Sequence, residues 1–184
     1  MKRLMVLFSA PLLMGCATIA RPITASAPDF SKVPEQVLRE VAHEIERAVQ
    51  DGDREAVFEN REQLTIDTDE ILQAIRTRIA RSSLIDAFRD TGFVFEQRNG
   101  LIKIIRSAEY KKQGTSRDRD RNALLIIGEN NDRWALYEGL VKLNDLPSGS
   151  LDGLRVIFAE ARFRIMKPGQ KIESPDGEIV PKAE

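Results

Sequence analysis

The chain contains one histidine and one cysteine, so few of its residues are suited to nucleophilic or general acid–base catalysis. Three glutamates lie close to the histidine, His43, in the sequence: Glu40, Glu44 and Glu46. A zinc site needs three or four protein ligands, often including cysteine. A serine hydrolase with His43 as its base would need a Gly-x-Ser-x-Gly elbow, which the chain lacks. We therefore predict an exposed helical histidine, no metal site, no cofactor and no catalytic activity.

Cys16 closes the sequence Leu13-Met14-Gly15-Cys16, which follows two basic residues and a short apolar run. A helix that spans a bilayer needs about 20 apolar residues, so the run is too short for one. The whole stretch resembles the lipobox of a bacterial lipoprotein signal peptide. The resemblance implies cleavage before Cys16, a diacylglycerol on its thiol and, because Ala17 follows, sorting to the outer membrane with the protein facing the periplasm. An ordinary cleaved signal or an uncleaved anchor is the alternative interpretation.

Asn130, Arg133 and Tyr137 are spaced so that their side chains point the same way from a helix. One interpretation is a recognition site for a ligand or partner. The other is a structural cluster, in which Arg133 pairs with a carboxylate and Tyr137 buries its ring while its hydroxyl stays hydrogen-bonded. We favour the structural interpretation, because Tyr137 lies on the apolar stripe that we expect to face the core.

Charge and composition limit the classes of partner and fold. Lys2 and Arg3 are the only charged residues in 1–15, so their removal takes the 28 basic side chains to 26, against 29 acidic ones. This balance argues against a nucleic-acid partner. No cysteine remains for a disulfide once Cys16 is acylated, so the fold must rest on its apolar core. We predict three regions: a signal peptide at 1–15, a flexible lipidated tether at 16–33 and a single domain at 34–184.

Apolar periodicity and turn residues predict a mainly α-helical fold with two short β-hairpins. The predicted helices cover 34–52, 53–64, 67–92, about 120–144 and 150–167. Asp53, Asp67 and Ser150 are the predicted N-caps of the second, third and fifth helices. The predicted hairpins cover 93–105, with Asn99-Gly100 in the turn, and 171–180. The charged residues between the first hairpin and the fourth helix, 107–121, are predicted to form an exposed loop.

Two further predictions concern helix faces. The third helix carries four arginines, which we interpret as a solvated polar face: Arg76, Arg78, Arg81 and Arg89. An anionic lipid or an acidic partner surface is the alternative explanation for them. The fourth helix is predicted to have Leu136, Leu140 and Leu143 beside one stripe that faces the core: Ala123, Ile127, Trp134, Tyr137 and Val141.

Three short segments follow one another in the C-terminal half of the chain. They are Gly92 to Gly100, the series Asn130-x-x-Arg133-x-x-x-Tyr137-Glu138, and the stretch from Lys167-Pro168-Gly169 to Asp176-Gly177. Together they resemble the YdbL-like family of small periplasmic proteins over about Leu84 to Lys182. The chain differs from that family at Ile179, where an aromatic residue is common, and in having a lipobox and three helices before the similar part. The resemblance divides the predicted domain into a helical part, 34–90, and a YdbL-like part, 91–184.

The resemblance implies a role and not a reaction. Members of this family are often encoded beside a large AsmA-like protein that is thought to carry phospholipid across the periplasm. We therefore expect a non-catalytic, outer-membrane-anchored lipoprotein that serves as an accessory or chaperone-like partner of an AsmA-like phospholipid-transport system. The alternative is an envelope hydrolase that acts on peptidoglycan or lipid. A deep polar cleft at His43 would favour the hydrolase, whereas a filled core with exposed hairpin edges would favour the interaction protein.

Overall fold

The computed structural model describes residues 28–184. The predicted signal peptide, Cys16 and most of the predicted tether lie outside the described residues. The helices are α1 (Glu35–Asp51), α2 (Asp69–Asp90), α3 (Ala108–Lys112), α4 (Ser116–Leu143) and α5 (Ser150–Ile165). The strands are β1 (Val94–Glu96), β2 (Ile102–Ile104), β3 (Lys171–Glu173) and β4 (Ile179–Pro181). The predicted fold class, mainly α with two short β-hairpins, is confirmed.

The helices pack around the apolar face of α1, which contacts both α2 and α5. Leu38, Val41 and Ile45 recur at helical spacing on that face, and all three are buried. The helix ends at Gly52, whose φ of 66° lies in the left-handed region that glycine adopts without strain. On its other side, α2 packs against α4, so the four long helices enclose the main core.

The two hairpins join into one four-stranded sheet with the order β2-β1-β3-β4. β1 pairs with β2 in antiparallel register, with Phe95 opposite Lys103, and β3 pairs with β4 in the same sense. The central pair, β1 and β3, is parallel, with Phe95 opposite Lys171. The turn chemistry predicted each hairpin from local sequence, but the parallel pairing between them joins strands that are far apart in the chain.

The predicted helix at 53–64 is wrong, because this segment forms turns and an isolated bridge between Arg61 and Leu64. Phe58 and Leu64 are buried in the main core. The side chain of Asn60 accepts hydrogen bonds from two backbone N–H groups just before α2, at 2.8 and 2.9 Å. So short a segment gains too little from intrahelical hydrogen bonds to fold as a helix alone, and burial of its apolar side chains sets its path instead.

Residues 107–121 do not form the predicted exposed loop. Ser107 caps the short helix α3 through its hydroxyl group. Thr115 and Asp118 then form a reciprocal capping box, so α4 begins at Ser116, earlier than predicted. The charged side chains of this segment are compatible with a solvated helix, and the capping residues decide where that helix starts.

Two other helix starts differ from the predicted caps. Thr68, and not Asp67, precedes α2, and Gly149, and not Ser150, precedes α5. The Ser150 hydroxyl instead donates a hydrogen bond to the carbonyl oxygen of Asp29, at 2.6 Å. A cap residue chosen from sequence can therefore be recruited by a tertiary contact.

The end of the predicted tether, residues 28–33, contacts the domain. Val33 is buried and Phe30 packs against the main core. A Cβ atom on Gly153 would lie only 2.4 Å from Cγ of Pro28, so α5 passes very close to this segment. These residues therefore belong to the folded part of the chain, and the prediction that the tether extends to residue 33 is wrong at its end.

The buried face of α4 differs from the predicted stripe. Ile127 is 54% exposed, and Tyr137 is the member of that stripe that is fully buried. The apolar residues that α4 buries are Ile126, Leu136, Tyr137 and Leu140. The same face buries Glu129 and Arg133, whose charge had excluded them from a stripe defined by apolar side chains.

Candidate functional site

Seven charged side chains of the described residues are buried, and they meet between the helices and the sheet. They are Glu46 of α1, Arg78 and Arg89 of α2, Glu96 of β1, Glu129 and Arg133 of α4, and Arg162 of α5. We call these seven residues, with Tyr137, the core charge network. The predicted solvated face of α2 is therefore wrong for Arg78 and Arg89, which are 0% and 6% exposed.

Six of the seven charges alternate in sign around a closed ring. Its pairs and their shortest N···O distances are Glu46–Arg78 2.8 Å, Arg78–Glu129 3.0 Å, Glu129–Arg133 2.8 Å, Arg133–Glu96 2.7 Å, Glu96–Arg162 3.3 Å and Arg162–Glu46 3.0 Å. Each carboxylate in the ring lies between two guanidinium groups. Buried ion pairs offset their loss of hydration only when hydrogen bonds satisfy most of their atoms, and the ring provides such an arrangement.

Glu96 is the most densely bonded carboxylate of the network, because it accepts five hydrogen bonds from Arg89, Arg133 and Arg162. Arg133 donates to both of its carboxylate oxygens, at 2.7 and 3.0 Å. Arg89 donates to Oε1 from both Nε and Nη2. Since Glu96 is the last residue of β1, these bonds tie the sheet to α2 and α4 at once.

The three residues singled out from the sequence all contact the first hairpin. Tyr137 donates its hydroxyl proton to the carbonyl oxygen of Gly100, at 3.1 Å, and Arg133 donates to the same oxygen at 3.2 Å. Asn130 bonds both backbone groups of Ile102, accepting from its N–H at 3.0 Å and donating to its carbonyl oxygen at 2.9 Å. These contacts fit the structural interpretation of the cluster, because every polar group involved is bonded within the protein.

Electrostatics keeps the network ionised. Burial raises the pKa of Glu46, but Arg162 and Arg78 outweigh it and lower that pKa to about 2. Glu129 behaves alike, since Arg78 and Arg133 overcome the effect of burial and bring its pKa to about 2. The pKa of Glu96 is held well below its usual value by its three arginines, again against burial.

These charges have little capacity for chemistry. A carboxylate with so low a pKa is a poor proton acceptor at neutral pH, and an arginine does not lose its proton. The network is also closed to solvent, with Glu96 and Arg133 both 0% exposed. Nη1 of Arg78 has no hydrogen-bond partner among residues 28–184, and Arg78 lines a cavity of about 10 Å³, close to the size of one water molecule. We conclude that the network stabilises and orients the fold.

Two of the glutamates near the only histidine, Glu44 and Glu46, are engaged elsewhere. His43 lies half-buried on α1. Glu46 belongs to the core charge network, and Glu44 pairs with Arg61 at 2.6 Å. Within the described part of the chain, no three histidine, cysteine or acidic side chains are grouped so that they could hold a metal ion.

Sequence reasoning missed most of the network, although a signal was present. Glu46 follows Ala42 by four residues and precedes Val49 by three, so it lies on the apolar face of α1. Arg162 follows Phe158 by four residues in the same way on α5. Each of these two residues is therefore a charged residue at an apolar position of an amphipathic helix, which indicates burial. The sequence does not show, however, which residue of opposite charge each one contacts.

Among the surface depressions of residues 28–184 are two apolar grooves, one on each side of the first half of α4. The first, of about 640 Å³, runs beside β2, and we call it the edge groove. The second, of about 610 Å³, lies between α2, α3 and α4 and includes Phe88, Tyr110 and Leu125. Four large apolar side chains near these grooves are exposed: Leu84 60%, Leu124 69%, Ile127 54% and Ile179 44%. His43 lines neither groove.

Comparison with known proteins adds no relative. No family model, no curated protein and no solved structure matches the chain. Among residues 28–184, no helix combines the length and the apolar character needed to cross a bilayer.

Proposed function

We propose that this protein is a non-catalytic interaction protein of the bacterial envelope, held at the membrane by lipid on Cys16. The observation that carries the proposal is that charged side chains are buried in the core while large apolar side chains are exposed on the surface. The buried charged side chains are bonded to one another in the core charge network. The surface, by contrast, exposes large apolar side chains beside two open grooves, which is typical of proteins that bind a partner.

The anchor and its location rest on the sequence around Cys16. The lipobox resemblance supports acylation of the thiol, and Ala17 supports sorting to the outer membrane. Several acyl chains together anchor a protein far more stably than a single chain does. The domain would then face the periplasm, joined to the membrane through the residues between Cys16 and Pro28.

The partner is proposed from the family resemblance. An accessory or chaperone-like role beside an AsmA-like phospholipid-transport protein is what the YdbL-like segments imply, and the exposed apolar grooves are compatible with it. The alternative, an envelope hydrolase, would be supported by a polar cleft with a free base. Since His43 lines neither groove, we give the interaction role preference.

Two measurements test the proposal. Cells that express the chain are labelled with radioactive palmitate, and envelopes are fractionated without detergent. We expect label and outer-membrane recovery for the parent and loss of both for Cys16→Ser. Recovery of Cys16→Ser in the outer membrane would contradict the anchor. Tagged protein is then purified from detergent-solubilised envelopes of the source bacterium, where absence of an AsmA-like protein from the co-purified material would contradict the proposed partner.

A further inference from the structure

The β2 edge of the sheet has backbone groups that are open to a new strand. The antiparallel ladder of β1 and β2 is bonded at Gln97–Leu101 and at Phe93–Ile105. Because bonded and non-bonded pairs alternate in such a ladder, the N–H and C=O groups of Ile102 and Ile104 point away from β1. The Asn130 side chain satisfies both groups of Ile102. Ile104 has no corresponding partner among the described residues.

The opposite edge of the sheet is interrupted by a proline. The ladder of β3 and β4 is bonded through Ser174–Glu178 and Gln170–Lys182, so the backbone groups of Ile179 and Pro181 point outward from β4. Pro181 has no N–H group to donate, and proline is a common device for blunting an edge strand. The edge of β2 at Ile104 is therefore the better template for strand addition.

The edge groove lies beside this open backbone and is lined with apolar side chains. Six of them are Ile104, Ile105, Ala123, Ile126, Ile127 and Ile179. Such a floor can take the side chains on one face of an added strand, since successive side chains of a strand point to opposite faces. Backbone hydrogen bonds would then supply affinity, and the apolar floor would supply selectivity for side chains.

The rim of the groove is positively charged. Lys103 and Arg106 line the edge groove and are exposed. A smaller adjoining depression of about 210 Å³ shares Arg106 and adds Lys111 and Arg119. Arg119 is held in place by donating to the carbonyl oxygens of Lys111 and Gly114, at 3.1 and 2.8 Å. Within the described part of the chain, no acidic side chain lines either depression.

We propose that the edge groove binds an extended, acidic segment of a protein partner, which adds as a short strand to β2 at Ile104. Apolar side chains of the segment lie on Ile126 and Ile127, and its carboxylates meet Lys103 and Arg106. Asn130 ends the pairing, because it already occupies the backbone of Ile102. This inference rests on the proposed interaction function and names the chemistry of the partner segment.

Two other occupants are less compatible with the groove. A second copy that paired edge to edge would bring Lys103 and Arg106 near the same residues of the first copy, and like charges facing each other across strands are destabilising. A fatty acid or a phospholipid could satisfy the cations and the apolar floor. Its hydrocarbon chain, however, has no donor or acceptor for the two backbone groups of Ile104.

The test uses the full chain with Cys16→Ser, which removes the proposed acylation site. A random dodecapeptide library displayed on phage is selected on this protein and counter-selected on the same chain with Ile127→Asp. Leu124→Asp is the matched control, because Leu124 lies on the same helix, is 69% exposed and does not line the edge groove. We expect the enriched peptides to alternate apolar residues and to carry net negative charge.

Affinities of the enriched peptides, made synthetically, decide the outcome. Ile127→Asp should weaken binding at least about tenfold, which is a loss of about 1.4 kcal/mol, and Arg106→Glu should weaken acidic peptides similarly. Leu124→Asp should leave the affinity unchanged within about a factor of two. Equal binding by both aspartate variants, or failure to enrich any peptide, would overturn the proposal. Enrichment of basic peptides would also overturn it.

Amide hydrogen exchange separates strand addition from simple contact. Bound peptide should slow exchange at Ile104, and unchanged exchange there would show that the peptide does not extend the sheet. Oleate and phosphatidylglycerol vesicles are titrated in parallel. If a lipid slows amide exchange at Ile104 and no peptide does, the lipid would replace the peptide as the occupant of the groove. If an AsmA-like protein co-purifies equally well with Ile127→Asp, this inference fails while the proposed function stands. If peptides bind but no AsmA-like protein co-purifies, the proposed partner is wrong while this inference stands.

Discussion

Arg133 and Glu96 form a bidentate ion pair, at 2.7 and 3.0 Å, with both side chains completely buried. The pair joins α4 to β1 and so fixes the first hairpin on the helical core. A guanidinium group and a carboxylate match each other in plane and spacing, which makes such pairs strong and directional. Removal of one partner leaves the other as an uncompensated buried charge.

Arg133→Ala should lower the free energy of unfolding by about 3–5 kcal/mol, the range for breaking a buried pair. Arg133→Lys should recover only part of this loss, because an ammonium group cannot bond Glu96 and Glu129 in the same fork geometry. Urea unfolding followed by circular dichroism measures both. Arg117→Ala, at an exposed position of the same helix, should stay within about 0.5 kcal/mol of the parent. Coincident curves for Arg133→Ala and Arg117→Ala would show that the pair contributes nothing.

Gly100→Ala should destabilise the protein more than Gly177→Ala, although both glycines have a φ near +80°. The backbone strain of such a φ costs about 1 kcal/mol or more at each position. At Gly100 the added Cβ would also lie 3.0 Å from the backbone oxygen of Arg155 and 3.2 Å from the Tyr137 ring. At Gly177 nothing lies within 4 Å. Equal decreases in the melting temperature of the two variants would show that close packing at Gly100 contributes nothing beyond backbone strain.

Asn130→Ala should leave the backbone groups of Ile102 without partners, at a cost of about 1–3 kcal/mol for a buried unsatisfied group. Its clearest readout is the amide of Ile102, whose hydrogen exchange should become faster relative to the parent. Asn130→Asp keeps an acceptor for that amide but loses the donor to the Ile102 carbonyl, so its exchange should stay slow while stability falls. Unchanged exchange in Asn130→Ala would contradict the bonding described for β2.

Stability should fall in acid because the folded state holds its buried glutamates ionised. Glu46 and Glu129 have an ordinary pKa of 4.5 and a folded pKa of about 2. Below 4.5 the unfolded chain binds protons that the folded protein does not. The part of the free energy of unfolding that these two carboxyl groups contribute is therefore fully present above that pH and is lost as pH falls toward about 2. Urea unfolding at a series of pH values between about 2 and 4.5 measures how steeply the free energy of unfolding depends on pH.

Glu46→Gln should make this acid dependence shallower, since one of the depressed carboxyl groups is gone, even though the variant is less stable at neutral pH. Glu138→Gln, at an exposed site on α4, provides the matched control and should keep the slope of the parent. A slope that Glu46→Gln leaves unchanged would mean that other carboxyl groups dominate the acid response.

Local sequence was sufficient for the elements that are governed by short-range rules. The apolar spacing of Leu38, Val41 and Ile45 predicted α1 and its end near Gly52, and Asn99-Gly100 predicted the first hairpin. Periodicity and turn geometry act over a few residues, so they can be read without knowledge of the rest of the fold. The same rules placed Asn130, Arg133 and Tyr137 on one side of a helix.

Tertiary structure alone decided which charges are buried and what pairs with what. Glu46 and Arg162 lie 116 positions apart, yet they form a bidentate pair in the core. Local rules assign any glutamate or arginine to solvent, because burial of an unpaired charge is prohibitively costly. Burial becomes possible only when several distant elements bring opposite charges together at once. The parallel pairing of β1 with β3 and the irregular path of residues 53–64 depend on long-range contacts in the same way.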